Sequence, residues 1–260
     1  MSFSLRRISR NLHHLSKRWI QPVLPTEQLR QSASLYARYV GDWCRYSSLP
    51  GAEVLRFLDS YPCLFDRIPT TPFDAHYFYQ DVWAFKAIQA SGASRHVDVG
   101  ARAILVGMLT AVTKVTFVDI RPLAVSLENF DSRPGSILTL PFDDSSVSSL
   151  SCLHVAEHIG LGRYGDALDP LGTEKATREL GRVLAPTGDL YFSVPVGKPR
   201  VCYNAHRIHS PFQILDYFPE LELVEFSGVD DNARFRQDTD LNDLADASYA
   251  CGLFHFTKKL

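Results

Sequence analysis

From Arg95 onward, short apolar runs alternate with segments of helical periodicity, a texture that predicts a parallel sheet with crossover helices. The pattern places strands at 95–99, 114–120, 136–140, 147–153, 189–194, 221–229 and 251–258. Helices are expected at 103–112, 122–130, 173–184 and 210–218. Residues 230–250 have weaker helical periodicity, so the final strand is expected to return antiparallel. The fold class is therefore α/β, a doubly wound sheet of seven strands, mostly parallel with the last one antiparallel.

Upstream the pattern changes. In 27–92, Tyr36, Tyr39, Val40 and Trp43 fall at i, i+3, i+4 and i+7, and Pro50-Gly51 breaks the run. Asp74 can cap a second helix whose Phe78, Val82 and Phe85 share a face. Such aromatic stripes read as core packing, with a lid over the sheet as the functional alternative. In 1–26, Leu5, Ile8, Leu12, Leu15 and Trp19 line one helical face. Arg6, Arg7, Arg10, Lys17 and Arg18 stand among them without an acidic residue or a secretory apolar core. That segment is a candidate for peripheral contact with an anionic membrane, for organelle targeting, or for a mobile basic terminus. The expected organisation is a basic leader at 1–26, a helical preface or lid at 27–92, and the sheet domain at 93–260.

Composition adds exclusions. The 260 residues are 45% hydrophobic, with 27 basic and 29 acidic side chains, an ordinary globular balance. A net charge of -2 gives no support for nucleic-acid binding. No apolar run approaches the roughly 20 residues that cross a bilayer. Cys44, Cys63, Cys152, Cys202 and Cys251 are scattered and never form a C-x-x-C pair, which favours a reducing, cytoplasmic setting.

In a doubly wound sheet, ligands bind beyond the carboxyl ends of the strands. The first strand ends in Asp98-Val99-Gly100-Ala101-Arg102, and the second in Asp119, 19 positions after Gly100. An acidic side chain at that spacing can accept from both hydroxyls of a ribose held over a glycine turn. Further on come Leu140-Pro141-Phe142-Asp143-Asp144-Ser145-Ser146, His154-Val155-Ala156-Glu157-His158, and Arg182-Val183-Leu184-Ala185-Pro186-Thr187-Gly188. This succession resembles the class I S-adenosylmethionine-dependent methyltransferases, in particular the group with an LPF segment, a strand ending in LHxxEH and an RVLxPxG turn. The resemblance covers Arg95 to Pro195 in motif detail.

It implies a Rossmann-like fold and S-adenosyl-L-methionine as cofactor. Asp98 and Gly100 would lie along the methionine and ribose of the donor, and Asp119 would bind the ribose hydroxyls. Ile120 and Ile137 would border the adenine. Three positions depart from the family: Arg102 and Ile104 hold the second and third glycine positions of its loop, and Ser136 stands where an adenine-binding Asp is common. Arg102 is read as a cation for the donor carboxylate, with a crowded pocket and a lost cofactor site as the alternative. The D-V-G-x-R form of the loop resembles an uncharacterised bacterial branch associated with surface-polysaccharide synthesis.

Methyl transfer from a sulfonium needs alignment, exclusion of water and, for a hydroxyl, a base. Candidates are His154, Glu157, His158 and His206, with His209 nearby. The loop 196–210 also carries Lys198, Arg200, Tyr203, Asn204 and Arg207; Tyr203, Asn204 and Arg207 are the expected contacts to a small or saccharide acceptor, such as an activated sugar. The insert Gly160–Asp166 is long enough to close over the same face. The functional expectation is O-methylation; the alternative is a binding or scaffold protein of the same fold without turnover. No metal is expected. His154-x-x-Glu157-His158 matches an inverted zinc-protease motif, but its first histidine falls at a strand end and not on a helix. Asp238-Thr239-Asp240-Leu241-Asn242 begins like a calcium loop but has Asp243 in the glycine position.

Overall fold

A computed structural model describes residues 26–259, so the expected amphipathic leader lies almost wholly outside the described residues. The chain divides into two compact units, one ending at Pro72 and the other running from Phe73. In the first unit, helix α1 spans Thr26–Ser47. The stripe expected to be core is largely open: Tyr36 and Val40 are exposed, while Tyr39 and Trp43 are half-buried with ring centroids 6.1 Å apart. Arg38 Nη2 donates to the Leu64 carbonyl at 3.2 Å and ties the following segment to α1.

The second unit starts with α2 (Ala75–Ser91), capped by Asp74, whose carboxylate accepts from the Tyr77 amide. Its buried face is Gln80, Trp83, Ala84 and Ile88, at helical spacing. The sheet holds β1 (Arg95–Val99), β2 (Lys114–Asp119), β3 (Phe130–Pro134), β4 (Val147–Leu153), β5 (Leu184–Val196), β8 (Leu221–Val229), β9 (Phe235–Arg236) and β10 (Ala250–Lys258). Its order is β3-β2-β1-β4-β5-β10-β8-β9. β1 to β5 are parallel, whereas β10 runs antiparallel to both β5 and β8, as expected for the last strand. A separate hairpin, β6 (Arg200–Cys202) with β7 (His206–Ile208), forms in the expected acceptor loop.

Helices α3 (Ala103–Leu109), α4 (Gly172–Val183), α5 (Pro211–Tyr217) and α6 (Leu241–Ala245) complete the layers. Alternation along the strands feeds two cores. Val118, Phe254 and Phe256 pack with Ala176, Leu180 and Ile214 of α4 and α5 on one face. Val115, Phe117 and Leu253 pack with Trp83 of α2 and Leu105 of α3 on the other.

Two expected elements are absent. Residues 122–127 form no helix but an extended approach to the edge strand β3, which is half open and polar and so carries no apolar signal. Residues 136–140 are not a strand but a turn closed by Thr139 N donating to Ser136 O at 3.0 Å, with Ile137 and Leu140 turned inward. The acidic run at 238–243 is a helix start: Asp240 and Asp243 make a reciprocal capping box for α6.

The insert after β4 is locked by a glycine. Gly160 has φ +81°, and a Cβ on it would stand 2.1 Å from the Asp169 carbonyl oxygen. Gly160→Ala is therefore expected to cost about 3 kcal/mol or more, or to prevent folding, because both strain and backbone overlap must be relieved. Urea unfolding of the variant beside the parent checks this.

Candidate functional site

The site begins at the carboxyl ends of β1 and β2. Beyond β1 the chain turns at Gly100, with φ +72°, and the Gly100 amide donates to the Val118 carbonyl at 3.0 Å. Asp98 is fully buried beneath that turn: its Oδ1 accepts from the Ala101 amide at 2.9 Å and its Oδ2 from the Ser151 hydroxyl. Ser151 and Ser149 also hydrogen-bond the two ring nitrogens of buried His96, each at 2.8 Å. Burial pushes the Asp98 carboxyl up to about 7 and the His96 imidazole down to about 3, so this internal chain favours its neutral forms. Asp98 thus supports the turn from below and does not line the cleft.

Asp119 closes β2. Its Oδ1 accepts from the Arg121 amide at 2.6 Å, and its Oδ2 lies 3.4 Å from where a Gly100 Cβ would be. Val99, Val118, Ile120, Ile137 and Leu138 make the apolar walls of the cleft in which Gly100 and Asp119 sit. Of the expected donor residues, Gly100, Asp119, Ile120 and Ile137 line it together. Arg102 does not: its guanidinium lies 3.4 Å from Asp81 and 5.0 Å over the Tyr77 ring, fastening α2 to the start of α3.

The far side of the cleft carries the insert expected to close over this face, together with Arg121, which motif reading passed over. Arg121 lies 4.8 Å over the Tyr164 ring, and Asp166 folds the insert inward by accepting from the amides of Gly160, Gly162 and Tyr164. The glycine spacing of the insert was the available signal for such a turn.

After β4, His154 takes φ +55°, its amide donating to the Ser193 carbonyl at 3.0 Å. Glu157 and His158 follow in a single 3-10 turn, Ala156–His158. His154 Nδ1 is 2.8 Å from Glu157 Oε1, and His158 Nε2 is 3.6 Å from the same oxygen. Burial by itself would lower the His154 pKa, but its contacts with Cys251 and Glu157 hold it well above its ordinary value. Glu157 is buried too, yet the two histidines keep its carboxyl below the usual range. Its Oε2 has no hydrogen-bond partner among the described residues.

His206, at the start of β7, tilts against Tyr249 at 5.1 Å, and burial lowers its pKa so that it is neutral near pH 7. Arg207 is almost fully buried, its guanidinium donating to the carbonyls of Ile159 and Asp169 at 2.5 and 2.9 Å. It ties the hairpin to the insert and has little left for an acceptor. Tyr203 is exposed, and Asn204 turns the hairpin at φ +60° with its amide 3.4 Å from the Leu161 carbonyl. His209 is buried beside Gln213.

Residues 111–247 match the family described as "Caenorhabditis protein of unknown function, DUF268", a span that includes Asp119, His154, Glu157 and His158. No curated protein matches the chain by sequence. Among solved structures, the chain is similar to the N-methyltransferase NodS from Bradyrhizobium japonicum WM9 in complex with S-adenosyl-L-homocysteine. The two share 16% identity and a TM-score of 0.51 over 76% of this chain and 91% of that one. A putative sarcosine dimethylglycine methyltransferase from Galdieria sulphuraria gives 13% identity and a TM-score of 0.52 over 70% and 85%. The [4+2]-cyclase SpnF gives 15% and 0.50 over 69% and 81%. The second unit therefore has the class I methyltransferase fold, with its mostly parallel sheet and antiparallel strand.

Proposed function

We propose that this chain, which belongs to the family described as "Caenorhabditis protein of unknown function, DUF268", is an S-adenosylmethionine-dependent methyltransferase acting on an oxygen of a small or saccharide acceptor. The observation that carries the reading is the Asp119 carboxylate beside the Gly100 turn, at adjacent strand ends and within an apolar cleft. The residues fit the donor. A Cβ at position 100 would intrude 3.0 Å from Val155, Asp119 Oδ2 is turned toward the turn, and Ile120, Ile137 and Leu138 offer a flat group apolar contact. When bound, the sulfonium donor supplies an electrophilic methyl group, so the protein has chiefly to align the partners and exclude water.

Asp119 would hold the ribose hydroxyls, and the Gly100 backbone would pass close beneath. Tyr164, propped by Arg121, would shield the cleft from solvent. For the acceptor hydroxyl, His206 is the base best suited by its neutral state, whereas the raised pKa of His154 makes it a proton donor paired with Glu157. Tyr203 and Asn204, at the hairpin tip, are the proposed acceptor contacts. A cytoplasmic site of action fits the five unpaired cysteines, and no described helix is long and apolar enough to cross a membrane.

A second reading, a binding protein of this fold without turnover, is favoured by one observation: Arg102 and Ile104 replace loop glycines, and Arg102 is engaged with Asp81 and Tyr77. A fold alone does not establish a reaction, and the cyclase among the similar structures illustrates the point.

Asp119→Ala separates donor binding from fold. Loss of charged hydrogen bonds to two hydroxyls should weaken binding of S-adenosylhomocysteine about 5- to 150-fold, with little change in thermal midpoint. Equal affinity of variant and parent in calorimetric titration would move the donor elsewhere. Binding with no methylation of cell-extract saccharides would favour the second reading.

A further inference from the structure

Close to the cleft, residues far apart in sequence converge. His76 lies in the first turn of α2, His154 after β4, and Cys251 at the start of β10. One ring nitrogen from each histidine and Cys251 Sγ all lie within 4.8 Å of one another. His154 Nε2 and Cys251 Sγ are 3.3 Å apart. In a tetrahedral zinc site, with bonds of about 2.0 Å to nitrogen and about 2.3 Å to sulfur, neighbouring donor atoms stand about 3.3 to 3.6 Å apart. The spacing here needs an inward shift of at most about 1.2 to 1.5 Å at its widest edge, within reach of a half-buried histidine such as His76.

A second observation points the same way. Glu157 Oε1 accepts from His154 Nδ1 at 2.8 Å, which leaves Nε2 aimed at Cys251. That is the carboxylate–histidine arrangement that orients metal-ligating imidazoles. The other oxygen, Oε2, is buried without a described partner, a charge that a nearby cation would offset.

We infer that His76, His154 and Cys251 form a zinc-binding site, with Glu157 positioning His154. Two imidazoles and a thiolate are a soft, nitrogen-rich donor set suited to zinc. Three protein ligands leave a fourth position open, the arrangement of catalytic and not structural zinc. His154 also lines the cleft, so an oxygen or sulfur of the acceptor is the ligand chemistry that position would take. Binding displaces one proton from Cys251 and one from His154 Nε2, so in the zinc-bound protein His154 is a ligand and no longer the proton donor. The use of the metal in activating an acceptor rests on the methyltransferase reading; the site itself does not. The site differs from the zinc-protease motif set aside above, because His158 is not a ligand and Glu157 stands behind His154.

The test is metal analysis of the purified full chain, followed by equilibrium titration of metal-stripped protein with zinc and with cobalt as its spectroscopic substitute. The expected result is one equivalent of zinc per chain, and with cobalt a thiolate charge-transfer band in the near ultraviolet. Cys251→Ser should abolish the band, and His76→Ala should weaken zinc binding at least about tenfold; both variants should keep the parent's circular dichroism. Folded protein that takes up no zinc overturns the site, as does a band retained in Cys251→Ser. Selective uptake of copper, or no metal but rapid alkylation of Cys251, overturns the assignment in favour of a copper centre or a nucleophilic thiol. Each outcome is read without donor, so failure here leaves the S-adenosylhomocysteine titration untouched.

Discussion

Asp98→Ala is expected to destabilise the protein by about 2–6 kcal/mol at pH 5, because it leaves the Ser151 hydroxyl and the Ala101 amide without their buried acceptor. Each buried group left unpaired costs about 1–3 kcal/mol. Asp98→Asn behaves differently, since its carbonyl can still accept from Ala101 and its amide can donate to Ser151. The contrast has a pH dependence whose sign is fixed. Burial raises the Asp98 carboxyl from 3.8 to about 7, so the folded state holds a proton that the unfolded chain has lost between those values. The contribution of Asp98 to stability is therefore full below pH 3.8 and is lost as pH rises toward 7. Asn cannot ionise, so the stability of Asp98→Asn relative to the parent should rise by about 1.4 kcal/mol per pH unit from pH 4 to 7, then level off. Urea unfolding of parent and variant at pH 4, 5.5, 7 and 8 measures it. A difference independent of pH would mean that Asp98 is ionised throughout.

Gly100→Val should abolish donor binding while leaving most of the fold. The backbone at φ +72° costs a β-branched residue about 1–2 kcal/mol, and the new Cβ meets the Val155 side chain at 3.0 Å and Asp119 Oδ2 at 3.4 Å. The added methyl groups then occupy the space between turn and carboxylate where the ribose is proposed to lie. Affinity for S-adenosylhomocysteine should fall at least about 100-fold, because the ligand cannot approach the turn at all. Calorimetry checks the affinity, and the thermal midpoint separates it from unfolding. A variant that folds and binds normally would remove Gly100 from the donor site.

The strands most readable from sequence are those with long runs of buried residues. β1, β4 and β8 run over the residues that the apolar pattern marks, and the antiparallel return of β10 followed from weak helical periodicity before it. The reading fails at the sheet edge. β3 is Phe130-Asp131-Ser132-Arg133-Pro134, half exposed, so nothing apolar announces it. The short apolar run Ile137-Leu138-Thr139-Leu140 imitates a strand, although Ile137 and Leu140 reach inward from a turn. The Gly100 and Asp119 pair was legible because spacing along one strand-turn-strand unit is local, whereas Ile120 and Ile137 were expected only through the family resemblance. The insert with Tyr164 and Asp166 was marked by its length and glycines, but Arg121 was missed because its stacking on Tyr164 depends on how the insert folds back. The cluster of His76, His154 and Cys251 was invisible for a simpler reason: parallel crossovers bring together chain segments separated by about a hundred residues, and no local spacing records it.

The central claim is that the cleft between Gly100 and Asp119 holds the adenosyl group of a methyl donor. A crystal structure of the full chain grown with S-adenosylhomocysteine tests it most directly. The account predicts electron density for one adenosyl group, with its ribose hydroxyls within hydrogen-bond distance of the Asp119 carboxylate and its adenine against Ile120 and Ile137. Density for the ligand at another place, or an empty cleft at saturating concentration, would contradict it.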